Sequence, residues 1–197
     1  MKYYELAPRT GRSARILSRY YGFDSIEQMA ESLPQDAVAA DFGSGRSNLG
    51  KTITDRRSDV RWMNVDVRTG LFRYARRHQK HSAPGLQYVK ADVFHPPIRP
   101  GTLDRGYSSW LLPNIELDSR ELAIQAFHSM ATLLKDDGML SVTGMRNAIV
   151  LAANYYNAPE ETANAVIDAV IVSDDKARRD LMISHQIRGL FQLHRIP

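Results

Sequence analysis

The sequence predicts an α/β fold, a doubly wound and mostly parallel sheet with helical additions before and after it. Two observations favour this class. Short apolar segments typical of strands recur between residues 37 and 143, and polar or helical stretches separate them. The chain of 197 residues, 43% of them hydrophobic, is also long enough to bury a sizeable core. We expect one domain, with a helical N-terminal lid (1–34), a core (35–145) and a helical C-terminal part (146–197).

The predicted elements follow in order along the chain. Residues 9–33 predict one or two helices that end before Pro34, because a residue preceding proline disfavours the helical conformation. Apolar runs then predict strands at 37–42, 60–66, 86–92, 102–108 and 139–143, the last of them after a turn at 135–138. Residues 119–134 have apolar side chains at helical spacing, namely Leu122, Ile124, Phe127, Met130, Leu133 and Leu134. Residues 146–190 are mostly helical in pattern, and we expect a final strand at 189–195.

Composition excludes several classes of function. With no cysteine, the chain has no disulfide, no thiolate metal site and no cysteine nucleophile. Its 6 histidines are scattered, and no carboxylate completes a ligand set around His78 and His81, so we expect no metal site. The longest apolar run, 148–153, is far shorter than the roughly 20 residues of a membrane-spanning helix. The N-terminus also lacks the apolar core of a secretion signal, and we expect a cytoplasmic protein.

A glycine-rich turn follows the first predicted strand. Residues 41–50 read Asp-Phe-Gly-Ser-Gly-Arg-Ser-Asn-Leu-Gly and lead into a helix. Glycines allow a tight turn and a close approach of the backbone to a ligand. The start of the helix behind them offers unpaired N–H groups and the positive end of a dipole, which suit a carboxylate or a phosphate. Such a motif also occurs in ordinary glycine turns.

Aspartates mark the ends of three predicted strands. Asp41 is the penultimate residue of the first strand, Asp66 ends the second, and Asp92 ends the third. In a doubly wound sheet the ends of neighbouring strands lie side by side, so Asp66 comes beside the glycine turn, where its carboxylate can accept both hydroxyls of a ribose. Each aspartate alone is explained by turn formation. The three together with the glycines predict a nucleoside site.

This pattern resembles the class I S-adenosylmethionine-dependent methyltransferases, whose fold is Rossmann-like, over roughly residues 35–145. Residues 41–45 are similar to the first motif of the family, Asp66 to its ribose-binding acid, and residues 91–93 to its adenine-contacting motif. The segments that end the fourth strand and enter the fifth are also similar, at 103–112 and 133–140.

The resemblance implies S-adenosylmethionine as cofactor, S-adenosylhomocysteine as product, and a set of binding residues. Gly43 and Gly45 would admit the methionine part of the cofactor, with Asp41 near its ammonium group. Asp66 would hold the ribose, and Asp92 would face the adenine amino group. The remaining residues of the set are Val93, whose N–H would meet a ring nitrogen, together with Ser44, Val67 and Ser108. The sequence departs from the family pattern at Ser47, where a third glycine is common, and at Asp137.

A nicotinamide-dinucleotide-binding protein is an alternative, because such proteins also have glycines followed by an acid. That alternative requires a glycine three residues after Gly45, but position 48 is asparagine. It also assigns no role to Asp41 or Asp92. A further alternative is a non-catalytic partner subunit that only holds the cofactor.

Catalytic residues are hard to identify, because methyl transfer from a sulfonium mainly requires alignment of donor and acceptor. His95 and Tyr107 are the candidate catalytic residues, and their other interpretations are a loop histidine and a packing residue. Candidate substrate-pocket residues are Tyr20 and Tyr21 of the predicted lid and Trp110 after the fourth strand. Packing on the sheet is the other interpretation of all three.

The acceptor that we expect is a small molecule, methylated on oxygen or nitrogen by a monomer or homodimer. The Asn/Asp-Pro-Pro-aromatic tetrapeptide of base methylation is absent after the fourth strand, where residues 108–111 read Ser-Ser-Trp-Leu. RNA is the alternative, because the chain has a net charge of +4 and a predicted helix at 73–80 with four cations at helical spacing, Arg73, Arg76, Arg77 and Lys80. A solvated outer helix face also explains that helix.

Overall fold

The strands and helices come from a computed structural model that describes residues 14, 15, 18, 21–45, 48–68, 70, 73, 84–109, 111–116, 119–143 and 190–194. The strands are β1 (Val38–Phe42), β2 (Arg61–Asp66), β3 (Leu86–Lys90), β4 (Leu103–Ser109), β5 (Leu134–Thr143) and β6 (Leu190–His194). The helices are α1 (Ile26–Glu31), α2 (Leu49–Thr54), α3 (Leu111–Glu116) and α4 (Arg120–Ala131). Several predicted features lie outside the described residues, namely Tyr20, Trp110, the helices of 146–189 and the basic helix apart from Arg73.

The described strands form one sheet in the order β3-β2-β1-β4-β5-β6. Strands β1 to β5 are parallel, and β6 pairs antiparallel with β5. This arrangement confirms the predicted doubly wound, mostly parallel sheet. Because β1 to β5 run the same way, they end at one edge of the sheet, here called the carboxyl edge. From β1 the strands are added in one direction as far as β3, and from β4 onward they are added on the other side of β1. Ligands of such sheets bind at the carboxyl edge beside this switch point.

Two apolar clusters cover the two faces of the sheet. On one face Phe42 and Leu140 pack with Phe127 and Met130 of α4. On the other face Trp62 packs with α1, α2 and Tyr107. β1 serves both faces because side chains alternate along a strand, and all five of its residues are buried. The described part of the chain contains no helix that is both long and apolar enough to cross a membrane.

Two strand boundaries differ by more than one residue from those that the sequence predicts. β3 ends at Lys90, so Asp92 lies two residues beyond the strand and does not close it. β5 begins at Leu134 and includes the predicted turn. Leu134 pairs with Leu103 and Met139 with Arg105, so the register shifts across this stretch. The predicted turn residues form this irregularity within the strand, which apolar content alone does not reveal.

The connection between β1 and β2 is fixed to α1 by one arginine. The guanidinium of Arg57 donates hydrogen bonds to the carbonyl oxygens of Ala30 (2.7 Å), Leu33 (3.2 Å) and Pro34 (3.0 Å). It also forms a two-pronged ion pair with Asp59, at 2.8 and 2.7 Å. This pair raises the pKa of Arg57 and lowers that of the Asp59 carboxyl. The tie satisfies main-chain acceptors at the end of α1 and holds this segment against β1.

Candidate active site

The glycine turn after β1 is folded onto the end of β2. The N–H groups of Gly43 and Ser44 both donate to the carbonyl oxygen of Val65, at 2.8 and 3.2 Å. The N–H of Gly45 donates to Oδ2 of Asp66 at 2.9 Å. All three N–H groups therefore have partners on β2.

Glycine is required at both positions of the turn. Gly43 has a φ of 67° and Gly45 a φ of 56°, a region that residues with a side chain rarely adopt. A Cβ on Gly43 would also lie 3.0 Å from the Cβ of Leu111, at the start of α3. Among the residues that the structure describes, a Cβ on Gly45 would meet only the carbonyl oxygen of Gly43, at 3.9 Å. These residues thus leave a cradle beside Gly45 that a ligand at this turn can enter.

Asp66 is the last residue of β2 and lies at the carboxyl edge. Its side chain is 8% exposed, and its second oxygen, Oδ1, accepts from the N–H of Arg68 at 2.8 Å. Hydrogen bonds from N–H groups to an ionised carboxylate are roughly twice as strong as those between neutral groups. The sequence places Asp66 beside the glycine turn, and the structure brings the two into direct contact.

Asp41 belongs to a row of buried polar side chains one or two residues before the strand ends. It is 3% exposed and pairs in register with Asn64 on β2 and Tyr107 on β4. Asn64 accepts a hydrogen bond from the indole Nε1 of Trp62 at 3.1 Å and contacts the hydroxyl of Tyr88. Burial raises the pKa of Tyr88 to about 12, against the smaller opposite effect of Asn64. Sequence reasoning missed Asn64, although its place two residues before Asp66 on the same strand puts it on the Asp41 face.

Tyr107 is a packing residue in this structure. It has no exposed surface, its ring stacks on Trp62 with centroids 5.3 Å apart, and Tyr21 packs on it at 4.9 Å. Burial raises its pKa well above the ordinary value, which is the wrong direction for a base. We therefore do not retain Tyr107 as a candidate catalytic residue. Tyr21 is also fully buried, so the structure places it in the core and not on the wall of an open pocket.

The loop after β3 contains Asp92, Val93 and His95. Oδ1 of Asp92 accepts from the N–H of Phe94 at 3.0 Å, and its carbonyl accepts from the N–H of His95 at 3.1 Å. Asp92 is exposed, as is His95, whereas Val93 is buried among the apolar residues of the α4 face. The aspartate thus shapes a turn while the residue stays exposed.

Three more predicted binding residues lie along this edge. Val67, after Asp66, is 37% exposed and is among the few large apolar side chains on the surface. The hydroxyls of Ser44 and Ser108 are buried and have no hydrogen-bond partner among the described residues. A buried hydroxyl without a partner costs free energy, and a polar ligand relieves that cost. Together with the cradle at Gly45, they fit a nucleoside with polar substituents. The described residues contain no cluster of three or more metal ligands.

The electrostatics of the turn argue against a phosphate ligand. Dinucleotide sites hold a pyrophosphate on free N–H groups at the glycine turn. Here the N–H groups of Gly43, Ser44 and Gly45 are bonded to β2, and a phosphate would meet the buried carboxyl groups of Asp41 and Asp66. A cationic or neutral ligand does not meet this repulsion.

Comparison with known proteins agrees with this geometry. Residues 40–142 match the profile of a family described as a methyltransferase domain. A candidate S-adenosyl-L-methionine-dependent methyltransferase from Methanococcus maripaludis is 18% identical, with a TM-score of 0.52 over 71% of this chain and 61% of its own. Phosphoethanolamine N-methyltransferase 1 of Haemonchus contortus, solved with phosphoethanolamine and S-adenosylhomocysteine, is 15% identical, with a TM-score of 0.51 over 66% of this chain and 26% of its own.

The fold alone does not determine the reaction. The [4+2]-cyclase SpnF is 15% identical, with a TM-score of 0.52 over 60% of this chain and 43% of its own. At such identities the likeness shows the shared fold. The chain spans about half of the length of several similar solved structures, 43% for SpnF and 49% and 52% for two others. No curated protein sequence matches the chain.

Proposed function

The chain belongs to the methyltransferase domain family, and on this premise we propose that it is an S-adenosylmethionine-dependent methyltransferase that acts on a small-molecule acceptor. The glycine turn is the observation that supports S-adenosylmethionine as the donor. Its N–H groups are bonded to β2, and that of Gly45 donates to Oδ2 of Asp66 at 2.9 Å. The turn leaves room for an uncharged ribose and a cationic amino acid, and the N–H groups of Gly43, Ser44 and Gly45 are not available to a pyrophosphate.

Different residues at the carboxyl edge would bind different parts of the cofactor. Asp66 would accept the ribose hydroxyls on the lone pairs that Gly45 and Arg68 leave open. The buried Asp41 would face the ammonium group, and Oδ2 of Asp92 the adenine amino group. Gly43, Ser44, Val67, Val93 and Ser108 would complete the pocket. When bound, the cofactor supplies a methyl group on a sulfonium sulfur, so the protein has no leaving group to activate.

A base is needed only if the acceptor enters protonated. Among the residues that the sequence singled out, His95 is the candidate that remains, because it is exposed near Asp92 whereas Tyr107 is buried. If His95 is the base, we expect His95→Gln to lower kcat while the affinity for S-adenosylhomocysteine stays unchanged. If His95 only shapes the loop, kcat should stay close to the wild-type value.

Three observations support a small acceptor. Residues 108–111 lack the tetrapeptide of base methylation, and the chain has no cysteine for a covalent cytosine adduct. Thr143 and Leu190 are register partners, so β5 ends and β6 begins at the carboxyl edge, where an acceptor pocket would lie. The Haemonchus contortus neighbour was solved with a small acceptor, phosphoethanolamine.

Calorimetry tests the donor. We expect S-adenosylhomocysteine to bind at micromolar affinity and a nicotinamide dinucleotide to give no heat. Asp66→Ala should weaken binding by about 1–3 kcal/mol, because ribose hydroxyls lose their acceptor. Asp55→Ala is the matched control, since it removes an exposed carboxylate at the far end of α2. Heat with the dinucleotide alone would refute the proposed donor.

Labelling tests the acceptor. The protein is incubated with methyl-labelled donor and fractionated cell extract, and we expect label in small molecules. Label in RNA would support the alternative, and label in neither would indicate a non-catalytic cofactor-binding subunit. A second assay replaces Arg73, Arg76, Arg77 and Lys80 with glutamine. If these cations contact single-stranded RNA, the slope of log affinity against log salt should fall by roughly 3. We expect weak RNA binding and unchanged methyl transfer. A cytoplasmic location and a monomeric or homodimeric state stay predictions.

A further inference from the structure

We propose that Asp66 is also a positioning residue, which holds the glycine turn in its binding shape before any ligand arrives. This inference rests on the proposed function for the identity of the ligand, but not for its test. Its basis is the pair of hydrogen bonds that the carboxylate accepts, from Gly45 in the turn and from Arg68 after its own strand.

The three N–H groups of the turn differ in what holds them. The N–H groups of Gly43 and Ser44 donate to the main-chain oxygen of Val65. The pairing of β1 with β2 already fixes the position of Val65. The N–H of Gly45 donates to a side chain. Gly45 has a φ of 56°, and a Cβ there would meet no side chain of the described residues within 4 Å. Among these residues, Asp66 is therefore the group that holds its conformation.

The second bond, from Arg68, fixes the carboxylate itself. With one N–H on each oxygen, the plane of the carboxylate is set by the backbone on either side of it. An ionised carboxylate has about four acceptor positions, so each oxygen keeps one lone pair for a ligand hydroxyl. The same group therefore orders the turn and receives the ligand, and the two events are coupled.

Amide hydrogen exchange of the full chain without ligand tests this inference directly. In Asp66→Ala the amides of Gly45 and Arg68 lose their acceptor, and we expect both to exchange roughly 10- to 100-fold faster than in the wild type, the change that loss of a bond to a charged group predicts. The amides of Gly43 and Ser44 should change less, because Val65 still holds them. Asp92→Ala is the matched control, since it removes a carboxylate of the same edge that does not touch the turn.

Asp66→Asn keeps the size of the side chain and one acceptor oxygen. We expect it to restore slow exchange at one of the two amides and leave the other fast, which a general loss of stability would not do. It also serves if the alanine variant does not fold. Unchanged exchange at both amides in either variant would overturn the inference, as would equal acceleration in Asp92→Ala.

Failure of the proposed function has a different signature. If S-adenosylhomocysteine gives no heat with the wild-type protein, the donor is wrong, while the exchange rates without ligand still decide the role of Asp66. If it binds, we expect it to slow exchange at Gly45 further in the wild type and to have a much smaller effect in Asp66→Ala. An equal effect in both would show that the ligand and the turn are not coupled through this carboxylate.

Discussion

Replacement of Gly50 by alanine tests how closely α2 lies on the sheet. A Cβ at this position would lie 2.2 Å from Cδ1 and 2.5 Å from Nε1 of Trp62, so the indole has to move. Trp62 has no exposed surface, donates a hydrogen bond to Asn64, and stacks on Tyr107 at an interplanar angle of 11°. Each of these contacts opposes the movement.

The magnitude follows from the contacts that are lost. Overpacking of a core costs about 1–3 kcal/mol. Breaking the bond from Nε1 to Asn64 leaves a buried donor and acceptor, which costs about 1–3 kcal/mol. Alanine gains about 1 kcal/mol over glycine within a helix. We therefore expect the free energy of unfolding to fall by about 3 kcal/mol.

Denaturant titration measures this loss. Gly70→Ala is the matched control, because a Cβ there meets no atom of the described residues within 4 Å, and we expect its stability to be unchanged or higher. The double variant Gly50→Ala with Trp62→Leu should lose less than the sum of the two single variants, because the smaller side chain makes room. A Gly50→Ala protein as stable as Gly70→Ala would refute the close packing of α2 on Trp62.

Three other changes test separate parts of the structure. Arg57→Met removes the donor of three main-chain carbonyls, and we expect denaturant titration to show a loss of about 2–3 kcal/mol; no loss would mean that water replaces the guanidinium. The pKa of Asp59 is lowered in the folded state by Arg57, so its carboxylate contributes stability above about pH 4 and loses that contribution as the pH falls. Asp59→Asn should accordingly flatten the fall of Tm below pH 4, and an unchanged slope would contradict the ion pair. Tyr107→Phe removes a buried hydroxyl that has no partner among the described residues, so stability should stay the same or rise by about 1 kcal/mol, with S-adenosylhomocysteine binding unchanged. A clear loss of stability or of binding would show that the hydroxyl has a role.

The strand positions were largely predictable because burial on both faces leaves a visible apolar run. β1 at 38–42 and β2 at 61–66 begin one residue later than predicted and end as predicted. The start of α4 was predictable within one residue, and Ser119 caps it by accepting from the N–H of Leu122. Leu122 itself is 40% exposed, although its helical spacing suggested the core. Spacing identifies a face of a helix, but not which of its edges is covered.

The contacts that order the site were not predictable. The sequence places Asp66 beside the turn, but the bond to the N–H of Gly45 depends on the φ of a glycine. The role of Gly50 depends on a tryptophan of the following strand, which no local pattern connects to it. Tyr107 was open to a catalytic or a packing interpretation because its neighbours Trp62 and Tyr21 are distant in sequence and meet it only in the folded sheet.

The antiparallel pairing of β6 with β5 has a consequence for how such a protein can diversify. Thr143 and Leu190 lie opposite each other, and four further pairs, down to Met139 and His194, fix the register. Whatever sequence connects Thr143 to Leu190 needs only to join two adjacent strand ends, and lengthening it changes the closure entropy slowly. The length and the sequence of this connection can therefore change while β5 and β6 keep their register.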